Sequence, residues 1–195
     1  VAVNFEYPLG ATPLDPDEAQ GLLPTHITTQ GELNVWEQTN ILQGELWAAR
    51  QFKRELLDEA FIRELHRRMF DQTWRWAGTF RSSDKNIGVD WLQIAMQLRN
   101  LLDNTRYQVE HQVFSADELA VRFHHQLVVI HPFPNGNGRH ARLMADLLVQ
   151  RLGMPRFSWG SESLIGTSGV RSAYLEALRA ADRHKIELLL AFART

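Results

Sequence analysis

The sequence predicts an all-α fold: a helical bundle around one helix–loop–helix motif, with a small β-hairpin as its only extended element. Three observations carry this. Leu119, Phe123, Leu127 and Ile130 recur at helical spacing ahead of residues 131–142, and Leu143, Met144, Leu147, Leu148 and Leu152 do so after them. The segment between reads His-Pro-Phe-Pro-Asn-Gly-Asn-Gly-Arg-His-Ala-Arg, rich in residues that interrupt helices. One polar stretch, residues 79–89, has Asp84-Lys85-Asn86 where a hairpin turn would sit.

In chain order, residues 1–33 carry Pro8, Pro13, Pro16 and Pro24 with little periodicity, and are expected to form an arm draped on a domain of residues 34–195. Ile41, Leu42, Leu46 and Trp47 predict a helix over 34–52, bent near Gly44. Asp58 is placed to cap a second helix striped by Phe61, Ile62, Leu65, Met69 and Phe70. Trp74 and Trp76 are expected to plug the core beside the motif loop. Residues 91–107 predict a helix with Ile94, Leu98, Leu101 and Leu102 inward. Ser115 and Glu118 form a capping-box pattern for the helix ending at Ile130. Gly153 and Pro155 end the motif helix. The Ser/Gly-rich stretch 156–169, with Trp159, is expected to border a ligand pocket. Two last helices are predicted over 170–180 and 183–193.

Length and composition suit one domain with a real core: 195 residues, 44% apolar and 23% charged. A net charge of −2 gives no broad attraction for nucleic acid, so no nucleic-acid partner is expected. There is no cysteine, which excludes disulfides and thiolate metal sites. No apolar run reaches membrane-spanning length and the first residues lack a signal-peptide core, so no membrane association is expected and the expected compartment is the cytoplasm.

The motif's chemistry follows from its charges. A helix's first turn carries unpaired N–H groups and the positive end of its dipole, which attract anions. A cation there is unfavourable by roughly 0.3–1 kcal/mol. Arg139 and Arg142 nevertheless both occupy that turn, on adjoining positions of one face. A multiply charged anion, phosphate above all, would reconcile them, because guanidinium binds it bidentately. Gly136, Asn137 and Gly138 suit a backbone anion nest, and equally an ordinary turn. Surface salt bridges are the plainer reading of the two arginines and leave their pairing unexplained. His131, before a proline that ends its helix, can accept a proton near neutral pH. Phosphate grip plus base points to phosphoryl or nucleotidyl transfer. His124 and His125 point about a hundred degrees apart on a helix, so zinc is not expected, and one is expected packed and the other at the surface.

These residues resemble the signature of the Fic/Doc family, His-x-Phe-x-Asp/Glu-Gly-Asn-Gly-Arg-x-x-Arg. His131, Phe133, Gly136, Asn137, Gly138, Arg139 and Arg142 match it; Asn135 departs. The chain is similar, more narrowly, to the family's group called mobile mystery protein B, which often carries this Asn. Trp76 to Val89 resembles the hairpin before the motif, and Arg171, Tyr174 and residues 177–182 resemble the closing helices.

The resemblance implies a protein adenylyltransferase that moves AMP from ATP to a Ser, Thr or Tyr hydroxyl of a protein target. His131 would be the base and Phe133 a core anchor; Gly136, Asn137, Gly138, Arg139 and Arg142 would hold the phosphates. It implies Mg²⁺ with the ATP. At Asn135 a neutral amide replaces the family's acidic ligand, so reduced protein help to the metal is expected. Arg81, Ser82, Ser83, Asp84, Lys85, Asn86 and Ile87 would form the flap along which the target aligns as an added strand. Glu32, in Thr28-Thr29-Gln30-Gly31-Glu32, resembles an inhibitory glutamate, expected against Arg142. Two rivals stay open: a Doc-type phosphotransferase, and a catalytically weak nucleotide- or partner-binding module of a toxin–antitoxin pair.

Overall fold

The computed structural model describes Phe5, Tyr7 and residues 11–160 and 169–195. All regular structure in these residues is helical: α1 (Pro16–Ala19), α2 (Gln30–Ala48), α3 (Glu59–Phe70), a 3₁₀ turn (Trp91–Gln93) running into α4 (Ile94–Glu110), α5 (Ala116–Ile130), α6 (Asn137–Arg151), α7 (Gly169–Asp182) and α8 (Glu187–Ala193). The only β pairing among them is an isolated bridge between Leu22 and Trp74. None of these helices is long and apolar enough to cross a membrane.

The α5–α6 pair is the centre of the bundle. Amphipathic helices bury one stripe, whereas helices apolar on most faces are buried on most sides. α5 buries Leu119, Ala120, Val121, Phe123, Leu127 and Ile130, and α6 buries Ala141, Leu143, Met144, Ala145, Leu148 and Val149. Around them pack α4 and α8 against α5, and α3 against α6, with α2 laid on α3 and α7 on α8. The Ser115 hydroxyl accepts from the Glu118 N–H and caps α5, but the Glu118 carboxylate accepts from Arg122, so the expected box is half formed.

Two local expectations change in the fold. α2 runs unbroken through Gly44, because that glycine serves packing: a Cβ there would stand 2.9 Å from the Met69 backbone. Leu42 and Leu46 face solvent at 54% and 56% exposure, while Leu33, Glu37, Asn40 and Ile41 turn inward. Asn40 explains the rotation. Its side chain accepts from the Gln72 N–H and Thr73 hydroxyl and donates to the Arg68 carbonyl, so it ties α2 to the end of α3.

The expected hairpin at 79–89 is a loop without strand pairing among the described residues. One buried side chain does the work of a ladder. Arg81 donates through Nε to the His131 carbonyl (2.7 Å), through Nη1 to Ser83 (2.8 Å), and through Nη2 to the carbonyls of Val89 and Ile130. Its own N–H reaches the Pro132 carbonyl at 2.9 Å. The flap is thus stitched to the motif loop, and residues 11–18 of the N-terminal arm lie over both.

Candidate active site

The loop between α5 and α6 is held from below by three side chains. Phe133 is fully buried and stacks on His66 with ring centroids 3.7 Å apart. His66 accepts from the Gly78 N–H at Nδ1, which leaves Nε2–H to donate to the Asn135 carbonyl at 3.0 Å. Asn137 closes the turn on itself: its amide oxygen accepts from the Phe133 N–H (2.9 Å) and its NH₂ donates to the Phe133 carbonyl (2.8 Å). Gly136 caps α6 at φ 77°, and a Cβ there would meet the Phe70 ring at 2.5 Å. Only a glycine combines that left-handed turn with that approach. Of the three residues expected to nest an anion, then, Gly136 shapes the turn and Asn137 clamps it. Gly138 is ordinary helical backbone, and its N–H lies in the first turn, where intrahelical partners are lacking.

His131 ends α5 in the left-handed conformation, φ 53° and ψ 59°, which is strained for a non-glycine residue. Arg81 on its carbonyl and its own N–H on Leu127 hold it there. The imidazole is only 6% exposed, covered by the arm. Nδ1 lies 3.3 Å from the Val128 carbonyl, which can only accept, so Nδ1 carries the proton and Nε2 the lone pair. Nε2 therefore accepts from the Thr12 hydroxyl at 2.9 Å. Burial is the main cause that lowers the His131 pKa to about 4, and Arg81 and Lys85 add to it.

Around the imidazole opens a cleft of about 990 Å³, at the large end of the ~300–1,000 Å³ range of small-molecule sites. Arg139, Arg142 and Arg171 border it. Burial and the two motif arginines lower the Arg171 pKa, which marks a field that would welcome negative charge. Arg142 lies over the Tyr174 ring at 5.2 Å, and the Tyr174 hydroxyl meets His124 Nε2 at 3.0 Å. Asp146 and Trp159 line the far wall, with Trp159 Nε1 donating to Asp146 Oδ1 at 2.9 Å. Of the pocket-bordering stretch 156–169, residues 161–168 lie outside the described residues.

Other expected site residues are distributed as follows. Ser82, Asp84, Asn86 and Ile87 are exposed on the flap, and Ile87 borders the cleft. Arg81 is buried and holds the backbone, so it offers no docking surface. Lys85 is nearly buried between Asp15 and Glu18, at 2.7 and 2.6 Å. Glu32 is not against Arg142. Its carboxylate accepts from the Thr28 and Thr29 N–H groups and caps its own helix; those bonds lower its pKa. The carboxylate that meets a motif arginine is Glu37, whose Oε2 lies 2.7 Å from Arg139 Nη1 while Oε1 accepts from Trp74 Nε1 at 2.6 Å. Glu37 had no signal in the sequence, since nothing local links it to residue 139. His125 is buried rather than at the surface, with Nε2 2.8 Å from Asp182.

Asn135 tests the expected Mg²⁺ site, and the fit is poor. Its amide oxygen accepts from the Gly136 N–H at 2.6 Å and its NH₂ donates to the Thr12 carbonyl at 3.1 Å. Among the described residues no group of three or more His, Asp or Glu side chains gathers to hold a metal. The side chains present do not build a cation site around Asn135.

Four of the buried histidines set an acid response. His66, His124, His131 and His140 are all neutral in the fold, because burial holds each below its usual value; His124 falls to about 3, and His131 and His140 to about 4. An unfolded chain protonates them near pH 6.5, so it binds more protons than the folded chain between pH 6.5 and 4, and stability drops as pH falls through that window. His131 alone contributes on the order of 3 kcal/mol of this loss by pH 4. Asp146, raised to about 6 by burial, works in the opposite direction and offsets part of it. Urea midpoints are expected to fall steadily from pH 6.5 to 4.5; a flat profile would contradict the buried neutral imidazoles.

Comparison with known proteins bears on the fold. The model of the Fic/DOC family matches residues 56–149. "Protein adenylyltransferase fic-1" of Caenorhabditis briggsae is 33% identical over 99 residues, which cover 48% of this chain and 19% of that protein. The chain thus matches about a fifth of that relative's length. The N-terminal Fic domain of a putative cell filamentation protein from Bartonella quintana superposes with a TM-score of 0.70 at 18% identity, over 91% of each chain. The same kind of domain from that organism with bound ADP gives a TM-score of 0.66 at 20% identity, over 87% of this chain and 86% of that one.

Proposed function

Residues 56–149 match the model of the Fic/DOC family, and on that premise we propose that this chain is a protein adenylyltransferase, moving AMP from ATP to a hydroxyl of a protein target. The observation that carries the reading is an imidazole with its lone pair already facing a hydroxyl, in the same cleft as Arg139, Arg142 and the N-terminus of α6. The adenylyltransferase relatives and the ADP-bound Bartonella quintana domain support it.

In this reading the triphosphate enters with its anionic tail toward Arg139, Arg142 and the first-turn N–H groups. His131 takes the proton of the attacking hydroxyl at Nε2. At a pKa of about 4 it is fully deprotonated near neutrality but a weak base. The arriving phosphates raise that pKa by opposing the charge of Arg81 and Lys85, so substrate binding itself tunes the base. Magnesium belongs to the nucleotide substrate, carried by its phosphates, because the Asn135 oxygen is engaged by the loop. Glu37, rather than Glu32, is the carboxylate that competes with the nucleotide for a motif arginine.

Incubating the chain with a cell extract and ATP labelled at the α- or the γ-phosphate tests this. Protein labelling from α-ATP alone is expected. Labelling from γ-ATP instead would establish phosphate transfer, and ATP binding with no labelling of either kind would leave a binding module.

A further inference from the structure

We infer that Thr12 is itself an acceptor of the nucleotidyl group: residues 11–18 lie in the target groove as a substrate segment carried in cis. The inference rests on the adenylyltransferase reading and names an acceptor for it. The arm is tied to the flap by specific bonds. Asn86 Nδ2 donates to the Ala11 carbonyl at 3.2 Å, and Ser83 Oγ donates to Asp15 Oδ2 at 2.6 Å. The Lys85 side chain, 3% exposed, holds the carboxylates of Asp15 and Glu18 together, and its bond is the main cause that lowers the Asp15 pKa.

Between these anchors the Thr12 hydroxyl lies 2.9 Å from His131 Nε2, itself only 6% exposed. The tautomer set by Val128 makes the threonine the donor, the polarity that proton abstraction requires. The arm does not fill the site: Ala11, Thr12 and Leu14 line the same cleft as Arg139 and Arg142. A hydroxyl, its base and a phosphate cradle therefore share one space.

Asn135 belongs to the same arrangement. Its NH₂ donates to the Thr12 carbonyl at 3.1 Å, which the acid usual at this motif position could not do when ionised. The departure from the motif is thereby matched to the arm.

The step balances. Thr12 Oγ forms a bond to the α-phosphorus of ATP. The bond from that phosphorus to the bridging oxygen of the β-phosphate breaks, and pyrophosphate leaves with the electron pair. The hydroxyl proton passes to His131 Nε2, and the imidazolium keeps its Nδ1–H on the Val128 carbonyl.

The purified full chain, incubated with α-labelled ATP and mapped by peptide mass spectrometry, tests this. The expected result is AMP on the peptide containing Thr12, at a first-order rate independent of chain concentration. Thr12→Val, nearly isosteric, should lower self-labelling by roughly tenfold or more, while Thr12→Ser keeps it. Label on another residue, unchanged labelling of Thr12→Val, or a rate that rises with chain concentration would overturn the inference. So would a wild-type chain that labels extract proteins and not itself, a result that leaves the adenylyltransferase reading standing. If neither extract nor chain takes the α-label, both readings fall together.

Discussion

His131→Ala is expected to slow AMP transfer by about 10²–10⁴-fold while leaving nucleotide affinity nearly unchanged. The expectation follows from where the imidazole's bonds go. Nδ1 faces the Val128 carbonyl and Nε2 faces a hydroxyl, so the ring engages the acceptor side of the cleft, whereas Arg139 and Arg142 form the anion side. Removing the ring takes away the proton acceptor and leaves the phosphate grip. Single-turnover transfer and calorimetric binding, measured on the same preparation, separate the two. Transfer within a few-fold of wild type would mean that the proton goes elsewhere. A matching loss of affinity would mean that the ring holds nucleotide.

Glu37→Gln is expected to tighten ATP binding by about ten- to a hundredfold. In the free chain the Glu37 carboxylate occupies the Arg139 guanidinium at 2.7 Å, and Glu37 is only 7% exposed. A phosphate that takes over this arginine strands the carboxylate and sets it against a second anion. Hydrogen bonds to charged groups contribute roughly 1.5–3 kcal/mol, and each 1.4 kcal/mol is about tenfold in affinity. Glutamine keeps an oxygen for Trp74 Nε1 but loses the charge that competes with phosphate. An unchanged Kd in Glu37→Gln, with unfolding as in the wild type, would reduce the pair to a packing contact. Glu32→Gly is expected to do less, since that side chain caps the start of α2 and reaches no motif arginine.

Much of the helical bundle was legible in the order of residues. The stripes of α3, α4, α5 and α6 repeat at three and four positions, and burial follows them closely. α2 was legible as a helix but not in its inward face, because Leu42 and Leu46 look like core residues until Asn40 and Gly44 fix its rotation on α3. The flap failed as a hairpin for a comparable reason. Of its polar turn residues Asp84 and Asn86 are exposed while the Lys85 side chain is buried by Asp15 and Glu18, and the groups that satisfy its backbone belong to one buried arginine and to residues 130–132.

By itself the sequence determined the loop between two buried helices, the imidazole at its mouth and the paired arginines at its exit, since all of these are set by neighbours within a turn or two. Tertiary structure alone decided what faces them: Thr12 meets His131 across 119 positions and Glu37 meets Arg139 across 102. Periodicity and turn chemistry encode interactions a few residues long. Which hydroxyl or carboxylate arrives from a distant segment depends on how the helices stack and where the arm is tied, and no local pattern records that.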